Sequence, residues 1–175
     1  MNLNKIAIGS NVPNEFNVFI EIMGGGVPVK YEIDKESGLL LVDRIVATSM
    51  SYPCDYGFIP HTLAEDGDPL DILLINHFSV NPGAIIKVRP IGVVKMSDEK
   101  GRDEKILCVP VNAVTPYYSA VNSYKDLPEI LMLKIVHFFE RYKDLEPGKF
   151  VKVDGLEDEV FAKQIVLDSI KRFNG

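Results

Sequence analysis

Cysteine, histidine and positive charge are all scarce in this chain, and each scarcity removes a class of function. Only two cysteines occur, Cys54 and Cys108, far apart and outside any C-x-x-C, with no histidine pair near either. That argues against a disulfide framework and against a zinc site of the usual spacing, and leaves reduced, partly buried thiols. His61, His77 and His137 fit no ligand spacing either; His137 falls beside the apolar stripe of a predicted helix, where packing or a subunit contact is expected. Lysine and arginine total 19 against 25 acidic residues, a net charge of −6, which opposes the basic footprint of a nucleic-acid binder. Long apolar runs are missing as well. None approaches the ~20 residues that cross a bilayer, and Met1-Asn2-Leu3-Asn4-Lys5 has no apolar segment of signal-peptide type. The expected setting is the cytoplasm, with no membrane partner. No repeat, low-complexity tract or linker divides the sequence, so residues 1–175 are expected to form a single domain.

What is present is concentrated in Asp66-Gly67-Asp68-Pro69-Leu70-Asp71, three carboxylates within six residues broken by a glycine and a proline. Like charges this close raise one another's pKa unless a cation neutralises them, and a hard divalent metal does so most directly. Pro69 excludes a helix interior or a central strand, so the stretch is a loop leading into Ile72-Leu73-Leu74-Ile75. In extended backbone Asp66 and Asp68 would share a face, and Asp71 would start the strand. An ordinary Asp/Gly/Pro turn with solvated charges is the alternative. A calcium loop of the helix–loop–helix kind fails, because Asp71 and His77 stand where glycine and glutamate are required. A second acidic loop, Asp98 to Lys105, and the pair Glu21 and Glu32 favour the metal reading.

The first hundred or so residues read as strands. Phe16 to Ile22 alternates apolar and polar positions, and Val29 to Ile33, Leu39 to Val42, Leu70 to Ile75, Ile85 to Gly92 and Lys105 to Val111 follow, bounded by Gly, Pro or Asn. Short strands at this spacing suggest a small closed barrel. The last third changes period. Asp126 with Glu129 resembles a capping box, Pro128 suits a first helical turn, and Leu131, Ile135, Phe138, Phe139 and Tyr142 form a helical stripe, predicting a helix from about Leu127 to Tyr142. A second spans about Glu157 to Phe173, burying Ala162, Val166, Ile170 and Phe173. The expected class is α+β, with the two helices packed outside a β core.

Few cations are available to meet a phosphate, so their placement is informative. Lys30 shares a strand face with Glu32, Arg44 follows a strand, Lys105 shares a face with Asp103, and Tyr142 and Lys143 end the long helix. Each taken alone could be an ordinary solvated or rim residue. Gly24-Gly25-Gly26 before Lys30 is not a P-loop, since Val29 precedes and Tyr31 follows that lysine; a flexible connection between strands is the expectation.

Glu21, Lys30-Tyr31-Glu32, Val42-Asp43-Arg44, Tyr52-Pro53-Cys54-Asp55-Tyr56-Gly57, the Asp66 to Asp71 block, Lys95-Met96-Ser97-Asp98, Asp103-Glu104-Lys105 and His137 to Lys143 together resemble the soluble family I inorganic pyrophosphatases, in the order and spacing of short bacterial members. The resemblance implies a five-stranded barrel of oligonucleotide-binding type with additional strands and two outer helices. It also implies hydrolysis of inorganic diphosphate to two orthophosphates by a metal-bridged hydroxide, with several Mg²⁺ ions per site. Carried over by position, Asp66, Asp71 and Asp103 would hold a first metal, with Asp71 reaching a second. Asp98 and Asp103 would bind a further one and Glu32 another, with Glu21 supporting through water. Lys30, Arg44, Tyr56, Lys105, Tyr142 and Lys143 would grip phosphate oxygens, and Asp68, unligated, would be the general base. A homohexamer is implied too, although Arg141 stands where many short relatives place an intersubunit histidine. Two other readings stay open: a metal-dependent phosphohydrolase acting on a nucleotide or phosphomonoester, and a non-enzymatic barrel binding single-stranded nucleic acid.

Overall fold

The structure is a computed structural model that describes residues 5–34, 36–99 and 101–175. Met1 to Asn4, Lys35 of the Asp34 to Gly38 turn and Lys100 of the second acidic loop lie outside the described residues. Among the described residues, nine strands and two α-helices follow one another: β1 (Phe16–Ile22), β2 (Val29–Ile33), β3 (Leu40–Ile45), β4 (Asp55–Phe58), β5 (Asp71–Leu74), β6 (Ile85–Asp98), β7 (Gly101–Arg102), β8 (Lys105–Pro110), α1 (Glu129–Arg141), β9 (Val151–Glu157) and α2 (Glu159–Asn174).

Five strands close on themselves. β1 pairs β4, β4 pairs β5, β5 runs parallel to β8, β8 pairs β6, and β6 returns to β1. This ring is the expected barrel of oligonucleotide-binding type, and closure removes the exposed edges a small sheet would otherwise present. β6 can serve four neighbours, β1, β7, β8 and β9, because it is 14 residues long and bent. Pro90 pairs Cys108 and Gly92 pairs Leu107, leaving Ile91 as the extra residue of a bulge that curls the strand. Its first half pairs β1 and its second half pairs β9. The sequence suggests an end at Gly92, but that glycine is an interior position where a Cβ would meet the Tyr124 ring at 2.7 Å.

Strands β5 and β8 read as continuous apolar runs because both faces are covered. Ile72, Leu74, Ile106 and Cys108 belong to a core reached by Ala162 and Val166 of α2. Leu73, Leu107 and Val109 belong to the other core, packed by Met132, Ile135, Phe138 and Phe139 of α1. The buried side of α2 thus includes Ser169 rather than Phe173, which is 45 % exposed. Among the described residues, no helix is long and apolar enough to cross a membrane.

Two short-range expectations are corrected. The box at Asp126 caps one turn earlier, in a 3₁₀ turn over Tyr124–Asp126, where its carboxylate accepts from the Asn122 and Ser123 N–H groups. Pro128 restricts Leu127 to extended backbone, so α1 starts afresh at Glu129. The glycine run is not a loose connection either. The Gly24 N–H donates to Asp55 Oδ1 (2.8 Å), its carbonyl accepts from Ser79 Oγ (2.8 Å), and the Gly25 N–H donates to the Tyr52 carbonyl (2.8 Å). Strands β4 and β9 were not anticipated from the sequence, although Val151 and Val153 alternate with polar residues as a strand should.

The barrel tolerates no side chain at Gly57, where a Cβ would lie 1.9 Å from the Phe19 carbonyl oxygen. Gly57→Ala is expected to destabilise the fold by roughly 3 kcal/mol or more, read as a lowered urea midpoint with the slope of the transition unchanged.

Candidate active site

All thirteen residues singled out from the sequence line one cleft of about 370 Å³: Glu21, Lys30, Glu32, Arg44, Tyr56, Asp66, Asp68, Asp71, Asp98, Asp103, Lys105, Tyr142 and Lys143. Asp43, Glu99, Tyr52 and Lys149 line it as well. The first three sit beside or within blocks already marked in the sequence. Lys149 had no signal, being one lysine in a turn.

Parallel pairing builds the centre. Ile72 lies opposite Ile106, so Asp71 and Lys105, one residue earlier on each strand, begin β5 and β8 side by side. Lys105 Nζ lies 2.5 Å from Asp71 Oδ2 and also bonds Asp103, while Tyr56 Oη donates to the same Asp71 Oδ2 at 2.6 Å. Burial pushes the Asp71 carboxyl up, Lys105 opposes that shift and Asp103 adds to it. Burial would lower the Lys105 pKa, but the two carboxylates outweigh it and hold the ammonium charged. Tyr56 is raised by burial and by the neighbouring carboxylates, and so stays a phenol that donates.

The acidic loop reaches the cleft by a turn rather than by extended backbone. Gly67 adopts φ +90°, which favours glycine, and the Asp68 N–H donates to Asp66 Oδ1 at 3.1 Å. Asp66 and Asp68 therefore share the cleft through local folding, not through the strand alternation suggested by their spacing. The far end is anchored by buried Thr62, whose hydroxyl accepts from the Leu70 N–H and donates to the Ile59 carbonyl.

Two further bulges aim side chains. Ile20 pairs Gly57 and Ile22 pairs Tyr56, leaving Glu21 as the extra residue of β1. Lys30 pairs Arg44 and Tyr31 pairs Val42, leaving Asp43 extra in β3. Lys30 bonds Glu32 and lies 3.2 Å from Asp43, and these carboxylates raise its pKa against the lowering effect of burial. At the other wall, Lys143 Nζ lies 2.9 Å from Asp98 and 3.3 Å from Glu99. An aromatic chain holds that wall in place: Tyr56 packs on Tyr52, Tyr52 on Phe138 and Phe138 on Tyr142, at centroid distances of 5.3, 4.7 and 5.0 Å.

Among the described residues, nine carboxylates face five cationic groups and three phenols across this cleft. The ammonium groups already sit on carboxylates, and among the described residues no three acidic, imidazole or thiol side chains are gathered closely enough, as they stand, to hold a metal ion. The surplus of oxygen donors, with neither sulfur nor imidazole, suits hard divalent cations that keep part of their water shell. Glu21, 6 % exposed, makes the same point: its carboxyl is pushed up to about 8, first by burial, with Asp71 and Glu32 adding to it. Such a group favours a nearby cation.

A model of the inorganic pyrophosphatase family matches residues 18–174. The chain is 56 % identical to an inorganic pyrophosphatase of Caulobacter vibrioides over 99 % of this chain and 98 % of that one. It is 51 % identical to one of Brucella melitensis over 100 % and 99 %. Among solved structures, an inorganic phosphatase from Anaplasma phagocytophilum superposes with TM-score 0.96 at 48 % identity, covering 98 % of this chain and 100 % of that chain. The inorganic pyrophosphatase of Thermus thermophilus gives 0.93 at 40 % identity, with both chains covered in full.

The Glu21 environment sets a pH dependence. Its folded pKa lies above the ordinary 4.5, so the folded chain binds the proton more tightly and this group weakens the fold as pH rises from about 4.5 toward 8. In EDTA, Glu21→Gln should match wild type near pH 5 and melt higher near pH 8, by on the order of 5 °C. The Ile33 N–H that donates to Glu21 Oε1 keeps an acceptor in that variant.

Proposed function

The chain belongs to the inorganic pyrophosphatase family and is a hydrolase of the diphosphate anhydride bond, and on that premise we propose that the reaction takes place in this cleft with divalent cations. The observation that carries the placement is the convergence, among the described residues, of nine carboxylates, five cationic groups and three phenols on one cleft of about 370 Å³. Diphosphate bound as a metal complex also reconciles a polyanionic substrate with a chain of net charge −6.

Mg²⁺ is the proposed ion, several per site. Asp66, Asp71 and Asp103 would hold one, Asp71 reaching a second, Asp98 and Asp103 a further one and Glu32 another, with Glu21 supporting through water. Such ions, when bound, neutralise phosphate charge and make a water acidic enough to act as nucleophile near neutral pH. Asp68, an exposed member of the cleft wall, is assigned to take that water's proton. Lys30, Arg44, Tyr56, Lys105, Tyr142 and Lys143 are assigned to the phosphate oxygens. Phosphoryl transfer asks a protein chiefly for positioning and for charge placed where charge develops, and these groups supply both. The family resemblance further supports a homohexamer in the cytoplasm, with residues 1–175 acting as one domain and no nucleic-acid or membrane partner.

Orthophosphate release from diphosphate should require Mg²⁺ and stop in EDTA. Asp68→Asn should lower kcat by ~100-fold or more while binding metal as wild type does. Asp71→Asn should instead weaken metal binding by about 10-fold, measured by titration calorimetry; equal affinity in the two proteins would remove Asp71 from the ligand set. Faster turnover of ATP or of a phosphomonoester than of diphosphate would reassign the substrate.

A further inference from the structure

Glu146 lies in the turn that follows α1 and does not line the cleft, yet its carboxylate joins two cations that do. Oε1 stands 3.4 Å from Arg44 Nε and Oε2 stands 2.9 Å from Lys149 Nζ. Arg44 comes from β3 and Lys149 from the segment before β9, so one side chain connects two separate walls of the cleft. The turn fixes the donor of that charge: the Glu146 N–H donates to the Lys143 carbonyl (2.8 Å) and the Lys149 N–H donates to the Glu146 carbonyl (3.2 Å). Pro147 follows Glu146, and Gly148 takes φ +78°.

The Arg44–Glu146 contact is also enclosed. Arg44 Nε and Glu146 Oε1 are both buried and, among the described residues, neither has a hydrogen-bond partner, so opposite charge at 3.4 Å is what compensates each of them. A guanidinium is a rigid planar fork. Holding its Nε edge toward Glu146 determines which edge remains for another ligand, and Nη1 lies 3.7 Å from Asp43, itself a residue of the cleft.

We propose that Glu146 is a positioning residue for diphosphate hydrolysis, aiming Arg44 and Lys149 at the phosphates from behind the cleft wall. The proposal rests on the reading that these cations meet phosphate. Removing the carboxylate leaves the buried Arg44 Nε without its compensating charge and frees two neighbouring cations to repel one another, so each would lose its fixed aim.

The experiment is a cycle of kcat/KM for diphosphate with Mg²⁺. Four proteins are compared: wild type, Glu146→Gln, the pair Arg44→Gln with Lys149→Gln, and all three substitutions together. Glu146→Gln should cost about 10-fold in the wild-type background and less than about twofold once both cations are gone, because its effect passes through them. An equal loss in both backgrounds would overturn the proposal and mark Glu146 as structural only. A cation pair that keeps wild-type kcat/KM would instead overturn the phosphate reading of those two groups, and this proposal with it. Should Glu146→Gln fail to fold, Glu146→Asp, which keeps the charge on a shorter arm, goes through the same comparison with the same expected asymmetry.

Discussion

The ammonium of Lys105, 3 % exposed and gripped by Asp71 and Asp103, is the contact on which the site depends. A buried charge without a partner costs several kcal/mol, so this lysine and these carboxylates cannot be placed independently. Parallel pairing of β5 and β8 brings the first two together at adjacent strand starts. The bend into β8 brings Asp103, and the Tyr56 hydroxyl adds a second donor to Asp71. Barrel closure and site assembly are therefore the same event, since the strands that complete the ring carry the groups that neutralise one another.

Around that centre the fold uses irregularity to aim side chains. A regular strand sends alternate residues to opposite faces, which would leave Glu21 between Ile20 and Ile22 and Asp43 beside Arg44 pointing away from it. The extra residue in β1 and in β3 breaks the alternation at those two positions. The Gly67 turn does the same for Asp66 and Asp68. The rigid parts hold these departures in place: buried Thr62 under the acidic loop, and the Tyr56, Tyr52, Phe138 and Tyr142 rings under the helix end.

A run of short strands fit for a small barrel could be read from residue type and order, although β4, a member of the ring, could not, and it was the family resemblance that gathered the cleft residues into one site. Clustered Asp residues, the Lys30 to Glu32 and Asp103 to Lys105 spacings and the apolar stripe of α1 each carry a local signature. What escaped the reading is non-local. Whether Glu21 or Asp43 occupies a bulge depends on the partner strand's register. The fixed geometry of Gly24 depends on Asp55 and Ser79, far along the chain. Lys149 and Glu146 meet each other locally, but the link from Glu146 to the cleft wall at Arg44, about a hundred residues away, is visible only in the fold. Pro128 misled in the opposite sense, because a first-turn proline and a helix-breaking one look alike until the backbone of Leu127 is known.

The closed ring also bears on how the protein is made. The cleft draws its walls from Glu21 through Lys149, and β1 cannot finish pairing until β6, with β8 between β5 and β6, has joined it. A chain still on the ribosome, synthesised only as far as Asp71, would carry a cluster of carboxylates without Lys105 or Lys143 to offset it. Such a fragment has Lys30 and Arg44 but no closed barrel, no ammonium beside Asp71 and no complete cleft. Chemistry is withheld from the unfinished chain by topology alone, and appears only when its C-terminal third has emerged.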